Sequence, residues 1–220
     1  MEKDLALIEN RFEKLKESGS PDLILIPDGI VNIEKYKKTR IKIMWLLKEP
    51  HDKGRVGWDM RDFLRDPENL TKRNDNWSWK RTYKMLMLVT WGILHDYQSH
   101  EKTINDWNRL GDEDILSVFN EIAYINLKKT PGLSRSSDSK IRAAYKNNKE
   151  LIWLQINTIK PDVVICGGTY KFIEGDIEQL SKNQSLLFIN TNHPNLRGHK
   201  RDIDYYNEVL TEIKQSIGNN

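Results

Sequence analysis

Four short, nearly unbroken apolar runs constrain this chain more tightly than anything else in it. They cover 41–47 (Ile-Lys-Ile-Met-Trp-Leu-Leu), 121–127 (Glu-Ile-Ala-Tyr-Ile-Asn-Leu), 162–166 (Asp-Val-Val-Ile-Cys) and 186–190 (Leu-Leu-Phe-Ile-Asn). A strand with one wet face alternates apolar and polar residues, whereas a strand covered on both faces has no need to. Runs of the second kind, spaced by helix-length segments, dictate a parallel sheet with helices on both sides. The expected fold is α/β: three layers, α/β/α, around a mostly parallel sheet of four strands.

The segments between the runs carry helical signals. Residues 3–17 place Leu5, Ile8, Phe12 and Leu15 on one stripe and end at Ser18-Gly19-Ser20-Pro21. A short apolar run at 23–26 then leads to Pro27-Asp28-Gly29, which reads as a turn. Helices are expected at 57–66 and 77–95, the latter rich in aromatics. Another runs from Asp138 or Ser139 through Ile159, with Ile141, Tyr145, Ile152, Ile156 and Ile159 on one face. A helix follows Gly167-Gly168, and the last covers 201–217. No internal repeat, low-complexity tract or Pro/Gly linker interrupts the 220 residues, so 1–220 reads as a single domain.

Composition removes several classes. At 38% hydrophobic residues the chain fills a core without covalent staples. The single cysteine, Cys166, excludes a disulfide framework, a cysteine zinc site and a four-cysteine iron–sulfur cluster. No apolar run is long enough to span a bilayer, and Met1-Glu2-Lys3-Asp4 does not open a signal peptide. A cytoplasmic, monomeric protein without a membrane partner is expected.

The net charge of +3 hides an uneven distribution. Four windows, 35–42, 71–84, 128–149 and 197–201, carry +18 between them, which leaves −15 for the rest. Such polarity suits a face turned to a polyanion, although solvated surface is the ordinary alternative for any one window.

In an open parallel sheet, sites form beyond the carboxyl ends of the strands. Reading only what stands there collects Lys48, Glu49, Pro50 and His51 after the first run. Asn126, Lys128 and Lys129 come from the second, Gly167 from the third, and His193-Pro194-Asn195-Leu196-Arg197 follow the fourth. Each has a plainer reading. Glu49 is then a surface acid, Asn126 a loop-bonding amide, His193 a satisfied histidine, and Gly167-Gly168 a tight turn. Glu49, His51 and Asp52 match no strong metal-ligand pattern, so no metal is expected.

Taken in order, these motifs resemble the uracil-DNA glycosylase superfamily. Leu47-Lys48-Glu49-Pro50-His51 falls where that family has G-Q-D-P-Y or G-x-N-P-G, and Tyr124-Ile125-Asn126-Leu127 resembles its Asn-bearing strand end. The strand-plus-glycine element resembles 161–168, and His193-Pro194-Asn195-Leu196 resembles H-P-S-P. The departures are Leu47 for Gly, Lys48 for Gln and Glu49 for Asp or Asn.

The resemblance implies an N-glycosylase that hydrolyses the glycosidic bond of a damaged or deaminated base flipped out of DNA, with no cofactor. Glu49 would serve the sugar cation or the attacking water, and His193 the departing base. Asn126 would read the base edge with Pro50, His51, Trp58 and Gly167 around it. Lys128, Lys129, Asn195 and Arg197 would contact the nucleic acid, with Leu196 as a wedge. Two alternatives remain open from the residues alone: an inactive nucleic-acid-binding module on the same fold, and a hydrolase of free nucleosides or nucleotides.

Overall fold

The computed structural model describes residues 2–18, 25–51, 58–71, 77–132, 136–182, 185–195 and 201–218. The chain opens with helix α1 (Glu2–Ser18), then strand β1 (Gly29–Ile30), α2 (Ile33–Lys38) and β2 (Ile43–Leu47). Helices α3 (Met60–Arg65), α4 (Pro67–Thr71), α5 (Trp77–Leu94), α6 (His100–Leu110) and α7 (Asp112–Leu116) follow. A 3₁₀ turn then leads into β3 (Ile122–Asn126). The second half runs α8 (Asp138–Ile159), β4 (Val163–Gly167), α9 (Tyr170–Ile173), α10 (Ile177–Leu180), β5 (Leu187–Thr191) and α11 (Asp202–Gly218).

The sheet has five strands in the order β1-β3-β2-β4-β5. Its four longer strands are the expected ones and pair in parallel, with Leu47 opposite Asn126 and Leu46 opposite Cys166. The fifth strand corrects the four-stranded expectation. Gly29, read from sequence as the end of a turn, and Ile30, left unassigned there, pair antiparallel with Tyr124 and Ala123. Two residues are too few to show a period, and the Pro-Asp-Gly signal masked them.

Each strand sends alternate side chains to two cores. Ile43, Trp45, Leu47, Ile122, Tyr124, Val163, Ile165 and Ile189 pack against α3, α5, α7 and α11. Met44, Leu46, Ala123, Ile125, Val164 and Cys166 pack against α8 and α9. Every residue of β2, β3 and β4 is buried, which is why these runs show no polar alternation. Buried Trp45 satisfies its indole N–H by donating to Thr90 Oγ1 at 3.0 Å. Helix α1 forms an outer layer, laying Ile8 and Phe12 on Leu151 of α8.

Helix boundaries follow local chemistry. Asn32, Asp59 and Ser99 cap α2, α3 and α6 by accepting backbone N–H groups with their side chains. Helix α8 stops at Lys160, left-handed at φ 51°, just before Pro161. Helix α6 carries Ile104 and Trp107 toward the core, a pattern the sequence reading passed over. Among the described residues no helix is long and apolar enough to cross a membrane.

One close approach ties the helical layer to the end of β5. The α carbon of Gly92 in α5 abuts Tyr206 of α11, whose hydroxyl donates to Gln98 O at 2.8 Å. Neighbouring Tyr205 donates to Asn192 O at 3.1 Å, one residue before His193. A methyl group on Gly92 would lie 1.9 Å from the Tyr206 hydroxyl oxygen. Gly92→Ala is therefore expected to destabilise the fold by about 1–3 kcal/mol through overpacking. In a chain of this size thermal unfolding should show a Tm lower by roughly 2–10 °C; an unchanged Tm would mean that α11 shifts without cost.

Candidate functional site

The parallel pairing of β2 and β3 does not stop where the strands stop. Leu127 N–H donates to Leu47 O at 2.9 Å, Lys128 N–H to Lys48 O at 2.9 Å, and Gly132 N–H to Pro50 O at 2.8 Å. The two post-strand segments are thus zipped together, and His51 pairs with Gly132 as an isolated bridge. This geometry brings Glu49 against the loop after β3. Its carboxylate occupies the space that a side chain on Gly132 would fill: a Cβ there would lie 2.0 Å from Glu49 Cδ.

Lys128 Nζ donates to Glu49 Oε2 at 2.7 Å and to Pro131 O at 2.6 Å. The pair is largely sheltered, with Lys128 19% and Glu49 10% exposed. Lys128 was expected to hold phosphate; the structure gives its ammonium to Glu49 instead.

Lys129 is a clearer correction. Its side chain is 1% exposed, sealed against Asp28 and Gln155 inside the fold, so it touches no nucleic acid in this conformation. Charge counting along a sequence cannot separate an inward lysine from an outward one. Both Asp28 and Gln155 were missed. Gln155 did leave a signal, a polar residue on the apolar stripe of α8 between Ile152 and Ile156.

Asn126 closes β3 opposite Leu47. By the alternation of the strand it points to the same face as Tyr124, toward α3 and α5. The residue is 1% exposed, yet among the described residues neither its amide nitrogen nor its amide oxygen has a partner in hydrogen-bond geometry. The Tyr124 hydroxyl lies near enough for Asn126 to act on it as a weak hydrogen-bonding neighbour, short of the geometry of a formed bond. Trp58 packs on this same core and meets Phe63 edge to face at 5.8 Å.

Across the sheet, the turn after β4 brings in His193. Gly168 takes φ +70° and lies between His193, whose backbone N would be 3.2 Å from an added Cβ, and Lys48, whose Cε would be 3.5 Å away. Gly167 is equally constrained, because a Cβ there would come 2.3 Å from Leu47 Cδ2 and 3.2 Å from Pro194 Cδ. Asn195 N–H donates to His193 Nδ1 at 3.1 Å. That bond engages the Nδ1 lone pair, so the neutral ring carries its proton on Nε2. Burial, with the nearby Lys48 charge adding to it, pushes the His193 pKa down to about 4. At neutral pH His193 is an uncharged Nε2–H donor.

Glu49, Asn126, Gly167 and His193 therefore stand at the same, carboxyl end of the sheet. Strands β2 and β5 are two strand spacings apart, or roughly 10 Å. Leu196 and Arg197 lie outside the described residues. No protein-family model matches the chain, and no curated protein matches it in sequence. What the site can do is read from its own groups.

One of the basic windows lies away from this end. Residues 35–42 precede β2, where Lys42 N–H donates to Asp162 just before β4, so this window sits at the opposite, amino end of the sheet. Within the windows, Arg40 meets Asp96, Lys84 meets Asp202, Lys149 meets Asp176 and Lys129 meets Asp28. The cationic surplus seen along the sequence is in good part neutralised in three dimensions. A groove of about 580 Å³ between α1 and α8, with Arg11 paired to Glu150 at its wall, lies away from the sheet end and gathers no comparable chemistry.

The tautomer and charge of His193 are directly measurable. Because its folded pKa lies below the ordinary value of 6.5, the unfolded chain takes up the proton first. The residue costs no stability above about pH 6.5, and increasingly destabilises the fold as pH falls toward 4. Nitrogen-15 NMR should find Nε2 protonated and a titration midpoint near 4. A midpoint near 6.5, or a proton on Nδ1, would contradict the geometry.

Proposed function

We propose that this chain is a DNA glycosylase of the uracil-DNA glycosylase superfamily, hydrolysing the N-glycosidic bond of a damaged or deaminated base turned out of the duplex. The observation that carries the reading is the Asn126 amide. A buried donor and acceptor without well-formed bonds among the described residues costs on the order of 1–3 kcal/mol per group, which supports a place where a ligand supplies those bonds. An adjacent donor and acceptor on one planar group suit the hydrogen-bonding edge of a nucleobase.

The chemistry follows from the flanking groups. Breaking the bond between C1′ and the base nitrogen leaves a cationic sugar and sends the bonding pair onto the base. The Glu49 carboxylate stabilises that cation and accepts a proton from the water whose oxygen adds to C1′. The neutral His193 Nε2–H donates a hydrogen bond to the base as its negative charge develops, and the departing base ends protonated from solvent. Lys128 keeps Glu49 oriented, and Trp58, on the Asn126 side, offers a surface for stacking. Contacts to the strand fall to Asn195, Leu196 and Arg197 rather than to Lys129.

One observation favours a second reading, a binding module without catalysis. Leu47 replaces the first-motif glycine, and its side chain fills the space above Gly167. Base release from oligonucleotides carrying uracil, hypoxanthine, xanthine or alkylated bases, scored as strand cleavage after alkali, separates the two. The glycosylase reading expects release from at least one. It also expects Glu49→Gln to slow release by a factor on the order of 10² with DNA affinity retained. Asn126→Ala should lose a factor of roughly 10 to 10² and relax the choice of base. Tight binding with no release from any substrate would establish the second reading.

A further inference from the structure

Asp28 stands where the backbone of β1 gives out. That strand pairs with β3 only at Gly29 and Ile30, so it offers no main-chain acceptor to the N–H of Asn126. Asp28 Oδ2 accepts that N–H instead, at 2.8 Å. The same carboxylate receives Lys129 Nζ at 2.7 and 2.9 Å and Gln155 Nε2 at 2.9 Å. Gln155 Oε1 accepts from the lysine at 2.8 Å, and Ile26 N–H donates to Lys129 O at 2.8 Å. The Phe12 ring of α1 covers the ammonium at 5.7 Å.

Stability alone does not account for this arrangement. A sealed pair of opposite charges is on average no more stabilising than apolar side chains of the same shape. What the pair does is geometric. One carboxylate holds residue 126 by its backbone and residue 129 by its side chain, while residues 127 and 128 are pinned to β2. Within that clamped segment the side chains alternate. Asn126 points to the α5 face, Leu127 to the α8 core, Lys128 to Glu49, and Lys129 inward to Asp28.

We infer that Asp28 is a positioning residue, a single buried carboxylate that aims both the Asn126 amide and the Lys128 ammonium that orients Glu49. The assignment rests on the glycosylase reading for its consequence and on the clasp alone for its structure.

Two double variants isolate the accepting oxygen. Asp28→Asn with Lys129→Met removes both charges but leaves an oxygen facing the Asn126 N–H. Asp28→Ala with Lys129→Met removes that oxygen as well. Hydrogen exchange at the Asn126 backbone amide, followed by NMR, reads the clasp without any substrate. It should stay within about threefold of the parent in the Asn variant and rise at least about tenfold in the Ala variant. Single-turnover base release should fall by a factor on the order of 10² in the Ala variant with DNA affinity retained, and by no more than about threefold in the Asn variant. A purely structural pair would lower Tm in both variants and leave the single-turnover rate of the folded molecules unchanged.

Equal Asn126 exchange in the two variants overturns the clasp. Unequal exchange with equal base release overturns its bearing on the site. If the parent releases no base, the functional reading fails and the exchange comparison still decides the clasp. If the Ala variant does not fold, the Asn variant decides alone: retained Tm with lost base release and fast Asn126 exchange contradicts the inference.

Discussion

Strand β2 has no free side. It pairs in parallel along both edges, its two faces are covered by separate cores, and all five of its residues are buried. Because it is fixed in every direction, the residues that leave its carboxyl end have little choice of path. Lys48, Glu49 and Pro50 continue the pairing toward the segment after β3, and the glycines of the β4 turn press against Leu47 and Lys48 from the other side. The candidate site is the outcome of that confinement.

Three glycines and one buried carboxylate then set its shape. Gly132 leaves the space that the Glu49 carboxylate fills, Gly167 leaves the space that Leu47 fills, and Gly168 adopts the left-handed turn that brings His193 beside Lys48. Asp28 caps β3 where β1 is too short to do so. Several polar groups around the site have partners among the described residues. Glu49 has Lys128, Lys129 has Asp28 and Gln155, and His193 Nδ1 has Asn195 N–H. The Asn126 amide and the Thr191 hydroxyl, both buried at the carboxyl end of the sheet, have no partner in hydrogen-bond geometry among the described residues.

The parallel sheet was legible because doubly covered strands must be apolar throughout, and 41–47, 121–127, 162–166 and 186–190 leave no other use for such runs. The gathering of Glu49, Asn126, Gly167 and His193 at one end of the sheet was legible for the same reason, since the topology decides where strand ends go. Residues 27–30 were not: two strand residues behind Pro27 carry no period, and only tertiary pairing makes them a strand. Lys128 and Lys129 were indistinguishable as letters. Their opposite fates follow from the alternation of an extended segment combined with a partner 101 residues away in sequence, which no local pattern encodes. The charge windows misled for a related reason. Arg40 and Lys149 find acids contributed by distant elements, and a running count along the chain cannot see them.

In the proposed function, the Asn126 amide and the neutral His193 donor receive a nucleobase at one end of this sheet. The most direct test is an NMR titration of the nitrogen-15-labelled protein with single-stranded oligonucleotides, each carrying one modified base, observing the Asn126 side-chain amide and the His193 ring nitrogens. At least one modified base is expected to shift both sets of signals together, while the matched unmodified strand leaves them in place. Shifts confined to surface lysines and arginines, with Asn126 and His193 unmoved for every base, would contradict that reading.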